Sequence, residues 1–346
     1  MPTQSGKFGV AVIGSGQISD AYVRAIAAVP KAEAVWCHDI VESQAKRLGE
    51  HFGIAWTTEL DRILSDPAVD AVIVCVPHLL HGEITIRAAQ AGKHVMCDKP
   101  ITTNREDALA MIEECRKANV RLGVNLASRY QPCATEAKKL FARKVIGDIF
   151  FTKISCYAHK PDEYWISPWL EKSWRASKKM AGGAIGIMNM THDIDRMMFS
   201  TGMRITQTKG EYGTFVTDVE VEDTFCGLWR WENGAIGMVS AGSKMLGGSA
   251  EPTRVFGSRG QIELWDPVRV FTTREDTEFA PNEWNTLDIE WAHSGYDPYI
   301  TDFIESVRKD TPAPITGEDG FRILDVILGI YESCETGGTV HMRTDI

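Results

Sequence analysis

Along the first 125 positions, short apolar runs alternate with stretches in which apolar residues recur at helical spacing. Phe8, Val10, Ala11, Val12 and Ile13 open a strand, the turn Gly14-Ser15-Gly16-Gln17-Ile18-Ser19 follows, and Ala21, Val23, Ala25 and Ile26 then mark one face of a helix. A second apolar segment, Val35-Trp36-Cys37, ends at Asp39. From Ala71 to Val76 the run is unbroken and stops at Pro77, as expected of a strand buried on both faces. Ile84, Ile86, Ala88 and Ala89 predict a helix ending near Gly92, and His94–Cys97 the next strand. Thr103-Asn104-Arg105-Glu106 reads as a capping box opening the helix of Leu109, Met111, Ile112 and Cys115. Arg121–Asn125 supplies a last short strand. Strand and helix in this repetition predict an α/β domain with a doubly wound parallel sheet over residues 1–125.

Beyond residue 125 the period changes. Long alternating segments at Ile149–Tyr157, Thr224–Trp231 and Ala235–Ser240 predict an α+β domain over 126–346, built on an open, mostly antiparallel sheet. Asn233-Gly234 is a hairpin turn, and Gly257-Ser258-Arg259-Gly260 a second. Phe225, Gly227, Trp229 and Trp231 share one strand face, which is either a core face under helices or an exposed face that pairs with a second subunit. Thr316 to Gly337 reads as a helix stopped by Gly337-Gly338.

The first strand, turn and helix, with the acid at the end of the second strand, form the βαβ unit that binds a dinucleotide. Gly14 allows the sharp turn, Gly16 lets the backbone approach a pyrophosphate, and the helix N-terminus offers N–H groups and the positive end of its dipole. Asp39 stands about twenty positions past the turn, where a carboxylate accepts hydrogen bonds from the adenosine ribose. That carboxylate would repel a 2′-phosphate, and Ile40, Val41 and Glu42 offer no arginine to receive one, so NAD is expected rather than NADP. The blander role for Asp39 is to cap the following helix.

Composition narrows the partners. A net charge of −10 argues against nucleic acid and anionic membranes, and no apolar run reaches the roughly 20 residues that span a bilayer. The start, Met1 to Lys7, carries no signal-peptide pattern, and the eight cysteines are scattered without CxxC spacing. These features predict a cytoplasmic protein with reduced thiols, no metal site and a small-molecule substrate.

Two further segments carry chemistry. Asp98-Lys99-Pro100 follows the strand His94–Cys97, where ligands of a doubly wound sheet bind; Asp98 would face the nicotinamide ribose and Lys99 the reacting oxygen, or both are a solvated pair in a loop. The other runs from Trp174-Arg175 through Gly182-Gly183 to His192 and Asp195. A helix starting near Ala184 would put Ile187, Met190, Ile194, Met197 and Met198 on a core stripe and Met188, His192, Asp195 and Phe199 on a second.

Taken in order, the Gly14-Ser-Gly-Gln-Ile turn, Pro77 with His81, Asp98-Lys99-Pro100, the Gly-Gly…His192-x-x-Asp195 segment and the closing Ile315-Thr-Gly-Glu-Asp-Gly…Tyr331-Glu-Ser resemble the glucose-fructose oxidoreductase / inositol 2-dehydrogenase / rhizopine-catabolism (Gfo/Idh/MocA) family over nearly the whole chain. The resemblance implies an N-terminal Rossmann domain and a C-terminal domain for substrate binding and oligomerisation, as a homodimer or homotetramer. It also implies hydride transfer between NAD and a secondary hydroxyl of a sugar, sugar derivative or cyclitol. Lys99 matches the lysine of the family's Glu-Lys-Pro motif and His192 its catalytic histidine. Asp98 replaces the usual glutamate, and Met188 stands four residues before His192, where many members carry aspartate. The expected cofactor contacts are Gly14, Gly16, Gln17, Ile18, Asp39, Pro77, His81, Asp98, Lys99, Asn125, Trp174 and Arg175. The expected substrate contacts are Lys99, Arg129, Tyr157, His159, Trp165, His192, Asp195 and Tyr296. Two other functions fit the same resemblance: a redox glycosidase that oxidises, eliminates and returns the hydride, so that NAD is recycled, and a non-catalytic sensor of NAD or sugar.

Overall fold

Each apolar run of the first 125 residues becomes a parallel strand in the computed structural model, which describes residues 6–165, 173–247, 251–265, 267–289, 295–344 and 346. In chain order these are β1 (Phe8–Ile13), α1 (Ser19–Ala28), β2 (Ala32–His38), α2 (Glu42–Phe52), β3 (Ala55–Thr57), α3 (Leu60–Leu64), β4 (Ala71–Val74), α4 (His81–Gln90), β5 (His94–Cys97), α5 (Arg105–Lys117) and β6 (Leu122–Val124). The sheet order is β3-β2-β1-β4-β5-β6, all parallel. Succession reverses between neighbours β1 and β4, and the loops beyond their carboxyl ends form the crevice where such sheets take ligands. All four residues of β4 are buried, as the unbroken apolar run predicts. The cap of α5 lies one residue later than expected. Asn104 is the extended N-cap, accepting from the Asp107 N–H at 2.8 Å and donating its amide to the Asp107 carboxylate at 2.7 Å. An amide can both accept and donate across this turn, which Thr103 could not do.

The second sheet is built from β7 (Ile149–Tyr157), which follows α6 (Pro132–Ala142), and, after α7 (Lys178–Ala181) and α8 (Thr191–Thr201), from β8 (Ile205–Gly213), β9 (Thr224–Trp231), β10 (Ile236–Gly242), β11 (Thr253–Gly257), β12 (Gly260–Leu264), β13 (Arg269–Thr272) and β14 (Trp284–Thr286). Both expected hairpin turns are present, at Asn233-Gly234 and between β11 and β12. The order is β14-β13-β12-β11-β7-β10-β9-β8 with a final short strand, Val340–His341, at the edge; only β7 and β10 run parallel. The aromatic face of β9 is core. Phe225, Trp229 and Trp231 are buried, Tyr331 packs edge-on to Phe225, and the Trp231 indole N–H donates to Thr152 at 3.1 Å. The alternate residues face outward, leaving Leu228 51% and, on β10, Ile236 40% exposed.

The chain divides into two compact units, Met1–Ala127 with Ser294–Phe321 and Ser128–His293 with Arg322–Ile346. A single boundary after residue 125, with everything beyond it in the second domain, is what the change of period predicts. The structure instead returns helix α9 (Tyr296–Arg308) to the first unit, where it packs on α1. Arg121 donates to Thr311 O at 2.8 Å and pairs with Asp310, and the Val124 N–H donates to Ile315 O at 3.1 Å. These bonds occupy the flank of edge strand β6, which no other strand covers. Helix α10 (Gly317–Thr336) then carries the chain into the second unit. It begins and ends where the sequence places it, with Gly337 left-handed at φ 71°.

Candidate active site

The dinucleotide turn is assembled by Asp39. One of its oxygens accepts the Ser15 N–H at 2.9 Å and the other the Val41 N–H at 2.9 Å, so the acid both pins the turn and opens α2. The Gly14 N–H donates to His38 O at 2.8 Å, and Gly14 sits at φ 102°, where a Cβ would lie 2.5 Å from Cys75 O. Gly16 is exposed, and a Cβ there would meet nothing within 4 Å. Exposed Gln17 and half-buried Ile18 follow, and among the described residues no protein acceptor takes the N–H groups of residues 16–18. An open backbone with unpaired donors at a helix N-terminus fits a pyrophosphate, and the spare lone pairs of Asp39 fit a ribose diol. Gly14→Ala is therefore expected to cost about 1–3 kcal/mol through backbone strain and to weaken NADH binding, read by thermal melting and by NADH fluorescence titration. A variant that melts and binds like the parent would remove Gly14 from this role.

Around Lys99 the first unit gathers a polar knot. The Lys99–Pro100 peptide is cis, and the Lys99 N–H donates to Asp98 Oδ1 at 2.9 Å. The same oxygen accepts the Tyr22 hydroxyl at 2.9 Å and the Asn125 amide at 3.3 Å, and that amide also donates to Tyr22. Asp98, expected at the nicotinamide ribose, holds its own corner together through Oδ1. Asn125 is 2% exposed, its Oδ1 has no protein donor, and its amide is fixed by the carboxylate it faces. A buried acceptor without a partner suits a donor brought by a ligand, such as a carboxamide or sugar hydroxyl. Tyr296, expected in the substrate domain, stands at the start of α9 in the first unit, edge-on to Tyr22 at 5.5 Å. Burial, with the nearby Asp98 charge, pushes its phenol up to about 12. Tyr22 went unnoticed in the sequence because it lies on a stripe of alanine and valine that reads as plain core.

His81, expected to touch the cofactor, is fully buried, with Nδ1 2.9 Å from Pro100 O and Nε2 2.9 Å from Val76 O. Both ring nitrogens face backbone carbonyls, so the imidazole ties the Val76-Pro77 corner to the Lys99-Pro100 corner rather than reaching a ligand. Burial holds its pKa below the usual histidine value, against the pull of Asp98 and the two carbonyls. Pro77 precedes a short 3-10 turn, His78–Leu80, that leads into α4.

In the second unit His192 is half-buried near the start of α8. The segment before it is not the α-helix expected from Ala184. Ile185–Met190 is π-helical, and α winding begins only at Thr191. The Met188 sulfur meets the Tyr164 hydroxyl at 3.8 Å. Three residues beyond His192, the fully buried Asp195 carboxylate receives the Arg129 guanidinium: Nε reaches both oxygens at 3.1 and 3.0 Å, and Nη2 reaches Oδ1 at 2.6 Å. Two expected substrate contacts are thus bidentate partners of each other.

Three others fall elsewhere. Tyr157 lies on the face of β7 opposite Thr152 and Ile154, and its hydroxyl donates to Ser240 at 3.0 Å, away from the face on which Phe225 packs. Strand alternation gives the two faces but not which one Tyr331 of α10 packs against. Trp165 is 5% exposed in a cluster with Ala176, Ala184 and Val221, so packing takes its indole. His159 is exposed and bridges Lys244 through its backbone. Trp174 and Arg175 form a 3-10 turn in which the guanidinium stacks 4.7 Å from the Trp174 ring and 5.2 Å from that of Tyr164. The sequence reading also missed Glu222, whose buried carboxylate accepts the Ala184 N–H at 2.8 Å, the Gly186 N–H at 2.9 Å and the Tyr331 hydroxyl at 2.7 Å. Among the described residues, no three His, Cys, Asp or Glu side chains converge to hold a metal ion, and no helix is long and apolar enough to cross a membrane.

The chain is 27% identical to myo-inositol 2-dehydrogenase of Thermotoga maritima, with 90% of this chain and 91% of the relative covered. It is also 27% identical to scyllo-inositol 2-dehydrogenase (NAD(+)) of Bacillus subtilis, over 96% and 95%. A solved levoglucosan dehydrogenase in complex with NADH and levoglucosan shares the fold, with a TM-score of 0.87 at 22% identity over 98% of this chain and all of that one. Residues 8–126 match the oxidoreductase family with an NAD-binding Rossmann fold, and 134–263 match the Gfo/Idh/MocA C-terminal domain. With the turn at Gly14, the acid at Asp39 and matches in both units, the chain belongs to the Gfo/Idh/MocA family and is an NAD-dependent oxidoreductase.

Proposed function

We propose that the protein moves a hydride between NAD and a secondary hydroxyl of a sugar, sugar derivative or cyclitol, with His192 as acid and base and Lys99 as its electrostatic assistant. One observation carries the reading. Both proton-handling side chains are retained and half-exposed, while the carboxylates beside them in sequence, Asp98 and Asp195, are bound to tyrosine, asparagine or arginine partners. In the oxidative direction, the hydroxyl proton passes to His192 as the O–H bond breaks. Lys99 donates a hydrogen bond to the oxygen as negative charge grows there. Bound NAD supplies the hydride acceptor. The names of the inositol dehydrogenase relatives support a polyol ring as substrate. A cytoplasmic homodimer or homotetramer joined over the outward face of β9 and β10, with its exposed Leu228 and Ile236, belongs to the same proposal.

A second reading, the redox-neutral glycosidase, is favoured by Met188. The place of the usual aspartate holds a thioether against the Tyr164 phenol, so a dehydrogenase carboxylate is absent there. One assay separates the two. The protein with NAD is offered free hexoses, sugar acids, cyclitols and nitrophenyl glycosides, with NADH and nitrophenol followed together. NADH formed from a free sugar or cyclitol is the expected result. Nitrophenol released without net NADH would overturn it for the glycosidase, and neither signal with NAD still bound would leave the sensor.

A further inference from the structure

We infer that Glu222, together with Tyr331, is the positioning residue that sets His192, by holding the start of its π-helical segment from a distant part of the chain. The inference rests on the acid–base role proposed for His192. A helix leaves its first N–H groups without partners, and π winding is rare and confined to short stretches, so this start needs donors satisfied from outside. No local side chain does it: Ala184 caps the segment without a side-chain bond. Instead Glu222 Oε2 takes the Ala184 N–H, Oε1 takes the Gly186 N–H, and Oε1 also accepts the Tyr331 hydroxyl. The Tyr331 oxygen in turn accepts the Ile187 N–H at 3.2 Å. Three donors of the segment's first turn are thereby fixed by one carboxylate and one phenol.

The glycines complete the arrangement. A Cβ on Gly183 would lie 2.4 Å from the Tyr331 oxygen, and one on Gly186 2.5 Å from it. The double glycine at 182–183, read in the sequence as room for a flat ring or another backbone, admits the phenol of α10. Glu222 is 3% exposed and has no cation among the described residues within ion-pair distance; the positive end of the helix is its counter-charge. An amide would put an NH₂ donor where one of these two acceptor oxygens stands, so only a carboxylate takes both N–H groups and fixes their direction. From Gly186 to His192 is six residues, fewer than two helical turns, so a tilt at the start moves the imidazole directly.

The test needs no substrate for its first readout. His-labelled protein is compared by 13C–1H spectroscopy as parent, Glu222→Gln and Tyr331→Phe, with the His192 resonance assigned by its loss in His192→Gln. Among the nine histidines, both variants are expected to shift the His192 signal and leave those of exposed His159 and His341 in place. Tyr331→Phe keeps the carboxylate, so the question stays open to test even where Glu222→Gln does not fold. The second readout uses whichever compound of the assay above gives the fastest NADH formation. There kcat should fall by up to about 10²-fold with KM little changed, the cost of a misplaced catalytic group. A folded Tyr331→Phe or Glu222→Gln protein with an unmoved His192 signal and parental kcat would overturn the inference, whatever its melting temperature. Full turnover in His192→Ala would instead overturn the acid–base reading, and the spectra alone would still decide the positioning.

Discussion

His192→Ala is expected to lower turnover by about 10²–10⁴-fold, the usual contribution of a positioned general base, while NADH binding stays at the parental level. The separation follows from the fold. The nucleotide turn, Asp39 and the Lys99 corner all belong to the first unit, and His192 to the second. Half-buried at the surface of α8, His192 can be truncated without opening a closed core, so the melting temperature should move little. The measurement is steady-state kinetics with the best compound of the panel, beside NADH fluorescence titration. Parental turnover would remove His192 from the reaction; loss of NADH binding would show that the residue acts on the cofactor instead.

Asp195→Ala is expected to do the reverse and strike stability first, by about 3–5 kcal/mol. Asp195 is 0% and Arg129 15% exposed at their side chains, and the carboxylate is the guanidinium's bidentate partner. Removing it takes the buried bidentate acceptor from a guanidinium that already shares the Phe199 ring with a second cation, the Arg129 and Lys138 groups lying 5.6 and 4.0 Å from it. Urea unfolding gives the cost directly as a lowered midpoint at unchanged slope. Replacing both partners with apolar residues of similar volume, Arg129→Met with Asp195→Leu, should recover part of the loss, since it removes the guanidinium along with its bidentate acceptor. A single-variant cost below about 1 kcal/mol would mean that water reaches the guanidinium and that the pair behaves as an exposed one.

What the sequence made legible was local. The strands, the Gly14 turn and Asp39 are carried by spacing within about thirty residues, where periodicity and turn chemistry act directly. The unread contacts join distant parts of the chain. Tyr22 meets Asp98 and Tyr296, and Glu222 meets Gly186 and Tyr331, through side chains that look ordinary where they stand. The π-helix has no residue signature, and its first N–H groups are taken by a carboxylate on another segment. Chemistry alone offers Tyr157 to the site; alternation gives its parity, and only the packing of β9 shows which parity is buried. Trp165, offered as a polyol contact on its chemistry, packs with Ala176, Ala184 and Val221, a cluster that local spacing does not show.

The return of α9 to the first unit bears on how the protein is made. During synthesis the six parallel strands leave the ribosome early, but Tyr299 and Phe303, both buried, and the Ile315 carbonyl that receives the Val124 N–H follow only after the long first segment of the second unit. Until then β6 waits as an uncovered sheet edge, the kind of surface on which neighbouring nascent chains can pair. Completion of the nucleotide-binding unit is thus a late, long-range event, and chain order makes the second unit's first segment available before the first unit can close.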